Sequence, residues 1–348
     1  MQQFYIGLDV SLDETSICVV DAKGAIVQEI TASSDPESVS AALKMYRDRI
    51  ARIGLEAGAL TSWLAVELRE LDYPAIVVEA THMRSAIRAQ ASKTDRNDAR
   101  GIAHMMRLGW YKTVHVKSAE SQRLRVLLSN RRILKRKLID IENHIRGTLR
   151  AFGRKMGRIG RSSYEARVLE LIKDLDPATA EFIVAMLEVR RGIWKGYTAL
   201  HNLVVRIVKD DPVCRRLMTV PGVGPIAALT FRAGVDDPLR FARSRALGAH
   251  FGLTPKVHQS GTIDRDGHIT KRGDIDVRTS LCEAAASLLM RVQKWSALKA
   301  WGLRIAKRSS MMNAVVAVAR KLAVILHRLW LEDRDFQWKA EAAVAEKG

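Results

Sequence analysis

Three β-rich runs follow one another within the first thirty residues, before any helical pattern begins. Phe4–Val10 is an apolar run that ends on Asp9-Val10, Ser16–Val20 is a second run, and Asp21-Ala22-Lys23-Gly24 turns the chain into Ile26–Ile30. Connections this short make hairpins. The pattern then alternates. Pro36 opens a helical stretch through Val39, Leu43 and Tyr46, and Ala51–Glu56 is a fourth strand. Leu60, Leu64, Leu68 and Leu71 mark a second helix, and Tyr73-Pro74 precedes the strand Ala75–Val78. Thr94 is the predicted N-cap of a helix running to about Leu108, with Gly109 past its end. A meander followed by alternating helices and strands suits a mixed sheet with helices on its faces.

Within this α/β region the carboxylates carry the chemistry. Asp9 closes an apolar strand, where an unsupported carboxylate is costly to bury, and Glu56 ends Arg52-Ile53-Gly54-Leu55 in the same way. If those strands are neighbours, the two acids sit side by side. Asp95 and Asp98 are three apart on a predicted helix and share one face. Four carboxylates brought together repel one another and raise their own pKa values unless a cation intervenes. Hard divalent ions bound by oxygen ligands resolve that conflict, and two of them about 3.5–4 Å apart would polarise a phosphodiester. Simpler roles compete at each position. Asp95 and Asp98 suit a helix start on macrodipole grounds alone, and Asp9 suits a turn. Asp13, Asp21 and Glu79 read as surface or turn positions, with Glu79, at a strand end, the main rival to Glu56.

The charge balance points to the partner. Fifty-seven Lys and Arg against 38 acids leave +19 and a pI near 10.2, which favours a polyanion through counterion release. Nucleic acid fits best. An anionic membrane surface is the alternative, but no run of about 18 uncharged apolar residues and no signal-peptide pattern is found. From about Ser118 the chain turns helical: Leu124, Leu128, Leu134, Leu138, Ile141, Ile145, Leu149 and Phe152 recur at spacings near three and four. This amphipathic helix is expected to pair with a second spanning roughly Ala166 to Val208. Residues 121–161 hold 13 Lys or Arg and two acids, an excess whose self-repulsion calls for an anion. Arg131, Arg132, Lys135 and Arg136 are therefore candidate nucleic-acid contacts. Cys18, Cys214 and Cys282 lie far apart and form no C-x-x-C pair, so neither zinc nor a disulfide framework is suggested. Cys18 and Cys282 sit in apolar contexts that predict burial, and the protein reads as cytoplasmic.

A third region runs from about Pro212 to Trp330. Leu217–Val220 leads into Pro221-Gly222-Val223-Gly224-Pro225, the pattern of a helix-hairpin-helix. Its glycines, Gly222 and Gly224, permit a tight turn, and backbone N–H groups at the next helix start can hold a phosphate. A Gly-rich loop between packing helices explains the same residues. A polar segment at 254–274 contains Ser260, whose hydroxyl is a poor nucleophile until a base or metal withdraws its proton. Ser-Gly is also ordinary turn chemistry. His258 and His268 are close in sequence, but no Ser-His-Asp order follows from that. Lys271, Arg272 and Arg278 could stabilise charge on a reacting phosphate or hold a DNA backbone. Trp194, Trp295 and Trp301 could stack on bases, with core packing the commoner role. Helical stretches close the region, including the apolar Ala314–Leu329.

Several of these segments together resemble one family. Ile6-Gly7-Leu8-Asp9-Val10, Gly54-Leu55-Glu56-Ala57 and Lys93-Thr94-Asp95-Arg96-Asn97-Asp98-Ala99 are similar to the DEDD-type transposases of bacterial insertion sequences, the insertion-sequence-110 family. The carboxyl-terminal half matches as well, through Pro221–Pro225, Gly252-Leu253-Thr254-Pro255, Gln259-Ser260-Gly261 and Lys271-Arg272-Gly273-Asp274 with Arg278. The resemblance implies an RNase H-like (RuvC-like) α/β catalytic domain over 1–115 and a helical coiled-coil region over 116–210 that binds nucleic acid and oligomerises. A mainly α transposase domain with the helix-hairpin-helix would cover 211–332, with a charged tail at 333–348. It further implies a magnesium- or manganese-dependent recombinase, tetrameric as a dimer of dimers, in the bacterial cytoplasm at the nucleoid. Such an enzyme pairs donor and target DNA through a non-coding bridge RNA. Asp9, Glu56, Asp95 and Asp98 would hold the metal, and Ser260 from another subunit would form a covalent phosphoserine link to DNA. Two other readings stand beside it: a metal-dependent nuclease or junction resolvase that needs no serine, and a non-catalytic nucleic-acid-binding protein with a degenerate metal site.

Overall fold

The computed structural model describes residues 3–79, 94–260 and 263–338. Two compact units divide the chain, Met1–Lys117 and Ser118–Gly348.

The first unit is built on a five-stranded mixed sheet in the order β3-β2-β1-β4-β5. β1 (Phe4–Val10), β2 (Glu14–Asp21) and β3 (Ile26–Ser33) form the antiparallel meander that the short connections predict. Asp21 makes the second turn, its Oδ1 accepting from the amides of Lys23 and Ala25. β4 (Ile50–Glu56) and β5 (Ala75–Val78) then add parallel to β1. α1 (Pro36–Leu43) and α2 (Thr61–Glu70) supply Val39, Leu43, Leu64 and Leu68 to the core on one face of the sheet, against Ile6, Leu8, Ile53 and Leu55. The other face carries α3 (Asp95–Leu108), capped by Thr94, whose hydroxyl accepts from the Asn97 amide, and ended by Gly109 at φ 68°. Cys18, Val20, Ala99 and Ala103 pack there.

The second unit is helical apart from one hairpin. α4 (Ala119–Ala151) pairs antiparallel with a long partner. The expectation of one helix from Ala166 to Val208 is corrected: the chain breaks into α5 (Tyr164–Ile172) and α6 (Pro177–Asp210). The Asp176 carboxylate accepts from the Thr179 amide as N-cap, and Pro177, lacking an N–H, suits a first turn and not a helix interior. Along the pair, Ile145 and Leu149 meet Ile183 and Leu187, Leu134 lies against Gly196, and Leu124 joins Val204 and Val208. Midway, the buried Arg190 guanidinium donates twice to Glu142 Oε1 (3.1 and 2.8 Å) and once to the Arg161 carbonyl (3.0 Å). It also lies 4.4 Å from the Tyr164 ring centroid, so its charge is fully met inside the helix pair.

The remaining elements close around an apolar core that also takes in Leu124, Val204 and Val208 at one end of the helix pair. They are α7 (Pro212–Leu217), α8 (Pro225–Val235), α9 (Ala246–His250), α10 (Ile275–Met290), α11 (Ala297–Arg308) and α12 (Met311–Leu331). The polar stretch at 254–274, to which the sequence assigns no element, holds a two-stranded hairpin, β6 (Pro255–Ser260) and β7 (Ile263–Ile269). All three cysteines are free thiols: Cys18 and Cys214 are buried, whereas Cys282 is only half-buried.

Candidate functional site

The register of the sheet fixes the geometry at one end of the first unit. β1 and β4 are parallel neighbours with Gly7 opposite Gly54 and Leu8 opposite Leu55, so the next residue on each strand, Asp9 and Glu56, are adjacent. Side chains alternate along a strand, so Asp9 and Glu56 share the face of Gly7 and Gly54. That is the α3 face. A Cβ on Gly7 would sit 2.0 Å from the Ala99 carbonyl, and one on Gly54 would sit 2.8 Å from Ile102 Cγ2. The two glycines let the helix lie directly on the strands.

α3 runs antiparallel to β4. Arg52 donates to the Met106 carbonyl (2.9 Å) and Gly54 meets Ile102 and Met106, so each step toward Glu56 moves toward the helix start. Asp98, one turn before Ile102, and Asp95 in the first turn therefore lie at the end of the sheet where Asp9 and Glu56 sit. Asp9, Glu56 and Asp98 are half-buried and Asp95 is exposed. Among the described residues no group of three or more His, Cys, Asp or Glu is gathered closely enough to ligate a metal as the chain stands. Lys93 of the matching segment lies outside the described residues. Glu79 behaves differently from Glu56: Val78 pairs with Glu56 and joins the α3-face cluster, so Glu79 falls on the opposite alternation and pairs with Lys112 (3.0 Å).

One residue at this end has no signal in the sequence. Glu29 on β3 accepts from Arg100 Nη2 (2.9 Å) and Arg96 Nε (2.8 Å), tying the first two turns of α3 to the sheet. The Arg100 and Arg96 guanidiniums hold its carboxyl down at about 2, against an ordinary 4.5. A carboxyl depressed on folding stabilises the fold above its unfolded pKa and loses that contribution as pH falls toward its folded value. Glu29→Gln should therefore lower the urea midpoint at neutral pH. The gap from the parent should close between pH 4.5 and about 2, and a pH-independent gap would rule out the clamp. Arg96 and Arg100 are visible as a helical i,i+4 pair, but nothing local names their partner on β3.

In the second unit the carboxyl-terminal motifs meet at the base of the hairpin. Gly252 (φ 66°) and Gly273 (φ 73°) let two segments cross: a Cβ on Gly252 would lie 2.3 Å from the Arg272 carbonyl, and one on Gly273 would lie 1.9 Å from that of His250. Arg278 clamps the crossing, donating to the carbonyls of Phe251 (3.1 Å) and Arg272 (3.0 Å). It is 9% exposed, so its expected contact with DNA is corrected to a structural role. Lys271 and Arg272 are exposed beside it. Ser260 ends β6 and pairs with Ile263 at the far tip of the hairpin, while Gly261 lies outside the described residues.

Two further expectations change for physical reasons. Arg131, 8% exposed, donates to Tyr197 Oη (3.0 Å) and His201 Nδ1 (3.2 Å), so it holds α4 to α6 and does not face an anion. Arg132 is ion-paired with Asp276, and Arg125 with Asp274, at the start of α10. Internal acids thus meet part of the α4 charge excess. Lys135 is half-buried and Arg136 is exposed. Gly222 (φ 87°) packs directly on α10, its would-be Cβ 2.5 Å from the Ala284 carbonyl, whereas Gly224 has open space and caps α8. Of the tryptophans, Trp194 tilts against Tyr197, Trp301 packs on the core under Lys321, and Trp295 is exposed.

No helix among the described residues is long and apolar enough to cross a membrane. Residues 6–153 match a family described as transposase, of the DEDD IS110 type, and residues 214–301 match the transposase IS116/IS110/IS902 family. The transposase for insertion sequence element IS1111A of Coxiella burnetii is 29% identical over 337 residues, covering 93% of this chain and 88% of that protein. A family 20 transposase of Pseudomonas aeruginosa is 30% identical over 285 residues, covering 80% of this chain and 83% of that protein.

Proposed function

The chain belongs to the IS110 family of transposases, DNA-acting enzymes, and on that premise we propose that it cuts and rejoins donor and target DNA with a metal-bound acidic tetrad and a serine nucleophile. The observation that carries this reading is the adjacency of Asp9 and Glu56 at the ends of two parallel strands beneath the start of α3. Asp95 and Asp98, at the same end of the sheet, would complete an all-oxygen donor set once drawn toward them, a chemistry that fits Mg2+ or Mn2+ and not a softer ion. When bound, the metal supplies positive charge that offsets the phosphate and polarises its P–O bond. The sheet order β3-β2-β1-β4-β5 supports an RNase H-like, RuvC-like domain over 1–115.

Ser260 then attacks phosphorus. An Oγ–P bond forms as the hydroxyl gives up its proton, the bond from phosphorus to one sugar oxygen breaks, and that oxygen takes up a proton, so the proton count is unchanged. Rejoining reverses the same exchange with a different strand, so the phosphodiester count is conserved and no external energy source is needed. The serine comes from another subunit of a tetramer. The turn from α7 through Gly222 and Gly224 into α8 supports a helix-hairpin-helix that grips the backbone within the 211–332 domain. Lys135, Arg136, Lys271 and Arg272 hold phosphates, with 116–210 as the nucleic-acid-binding and oligomerising region and 333–348 as a charged tail.

A bridge RNA pairs with both DNA partners, in the cytoplasm at the nucleoid. The test is to express the protein with the non-coding DNA that flanks its gene and sequence the RNA that copurifies. One structured RNA should be enriched, and strand transfer between donor and target should require it. Transfer that proceeds without any specific RNA would remove the guided mechanism.

A further inference from the structure

Beside the base of the hairpin, a recess of about 900 Å3 opens between β6–β7, α11 and one face of α12. Arg245, Lys271, Arg320, Lys321 and Arg328 line it, and no carboxylate does among the described residues. Arg245, Lys271, Arg320 and Arg328 take part in no ion pair among those residues, unlike Arg125 and Arg132 of α4. Lys321 lies 4.5 Å above the Trp301 ring, and burial pushes its amine below the ordinary lysine value. The stem of Arg320 rests on Gly248, where a Cβ would be 3.0 Å from its Cγ. Positive charge gathered on one recess whose described lining holds no carboxylate favours a polyanion.

The lining narrows the choice. The recess brings these cations together with an apolar surface in one place. Met312, Val316 and Val324 from α12 form that surface. Cations that follow a backbone beside an aromatic face such as that of Trp301, on which a base can stack, are what an unpaired strand requires. We propose that this recess binds single-stranded DNA.

The strand it holds is the unpaired one that flanks the cleaved bond. Pro255 and Ile269, which border the recess, pair at the hairpin base, and Ser260 lies five residues farther along β6. At ~3.4 Å per residue that is roughly 17 Å. With ~3.4 Å per nucleotide of stacked strand, the recess engages DNA about five nucleotides from the attacked phosphate. This placement rests on Ser260 as the nucleophile, whereas binding in the recess does not.

The experiment uses the full chain with a chelator present, so that cleavage does not intervene. Fluorescence anisotropy reads its affinity for a short dye-labelled DNA strand, the matching duplex and an RNA of the same sequence over a range of salt. Arg320→Gln with Arg328→Gln should weaken single-strand binding about tenfold and make the salt slope shallower by about 1.4, since each single-strand phosphate contact contributes ~0.7. Duplex affinity should change by less than about threefold, because other basic surfaces carry it. Arg320→Lys with Arg328→Lys should restore the slope, which a misfolded variant would not. Unchanged single-strand affinity, equal losses on strand and duplex, or tighter binding of RNA than of DNA would each overturn the proposal. Ser260→Ala should bind the strand as the parent does. If that variant also kept strand transfer, the distance argument would fall while the recess stood.

Discussion

Asp9→Asn is expected to abolish metal-dependent DNA cleavage, slowing single-turnover strand breakage at least about a thousandfold, or ~4 kcal/mol of transition-state stabilisation. The change is nearly isosteric, so packing at the end of β1 is retained and the deficit reports charge. A second readout separates a metal role from a folding role. The parent should gain melting temperature on addition of Mg2+, because an ion that binds only the folded state stabilises it by mass action. The variant should lose that gain while its metal-free stability holds or rises, since one of two adjacent carboxylates has been neutralised. Glu56→Gln should behave alike, because Glu56 is its register neighbour. Cleavage by Asp9→Asn at the parent rate would remove the metal mechanism.

Ser260→Ala should eliminate the covalent protein–DNA adduct and reduce strand transfer by at least about a thousandfold, since no other group replaces the lost nucleophile in the same position. The adduct is read by denaturing electrophoresis of labelled DNA after rapid quench. Hydrolytic nicking is the informative control. A variant that loses transfer and still nicks with the acids intact would show that water can substitute for the hydroxyl, which is the behaviour of a resolvase-like nuclease. A variant that retains the adduct would exclude Ser260 altogether. Because Ser260 lies at the hairpin tip, away from the crossing clamped by Arg278, its removal should leave the melting temperature unchanged.

The first unit was legible because its signals are local. Strand alternation, the Asp21 turn, the Thr94 cap and the Gly109 stop each act within a few residues, and the strands and α3 formed where those signals stand. The second unit was legible in outline, since apolar spacing marks α4 whatever it packs against. It failed where two local signals compete. The apolar period runs through Asp176-Pro177 while the cap and the proline end it there, and the cap won. The hairpin at 255–269 escaped because a two-stranded element needs little apolar alternation.

The cations show where reading by residue type stops. Arg131, Arg278 and Arg136 look alike in sequence, yet one ties α4 to α6, one clamps a chain crossing and one is exposed. What the sequence determined by itself was which residue types stand at strand ends, helix starts and turns, because backbone propensity and periodicity are short-range. Tertiary structure alone decided which of them meet. It set Asp9 beside Glu56 through the β1–β4 register, brought α3 onto both strands over Gly7 and Gly54, and gave Glu29 its two arginines. Each of those contacts joins residues tens of positions apart, and only the burial of a shared core holds them in register.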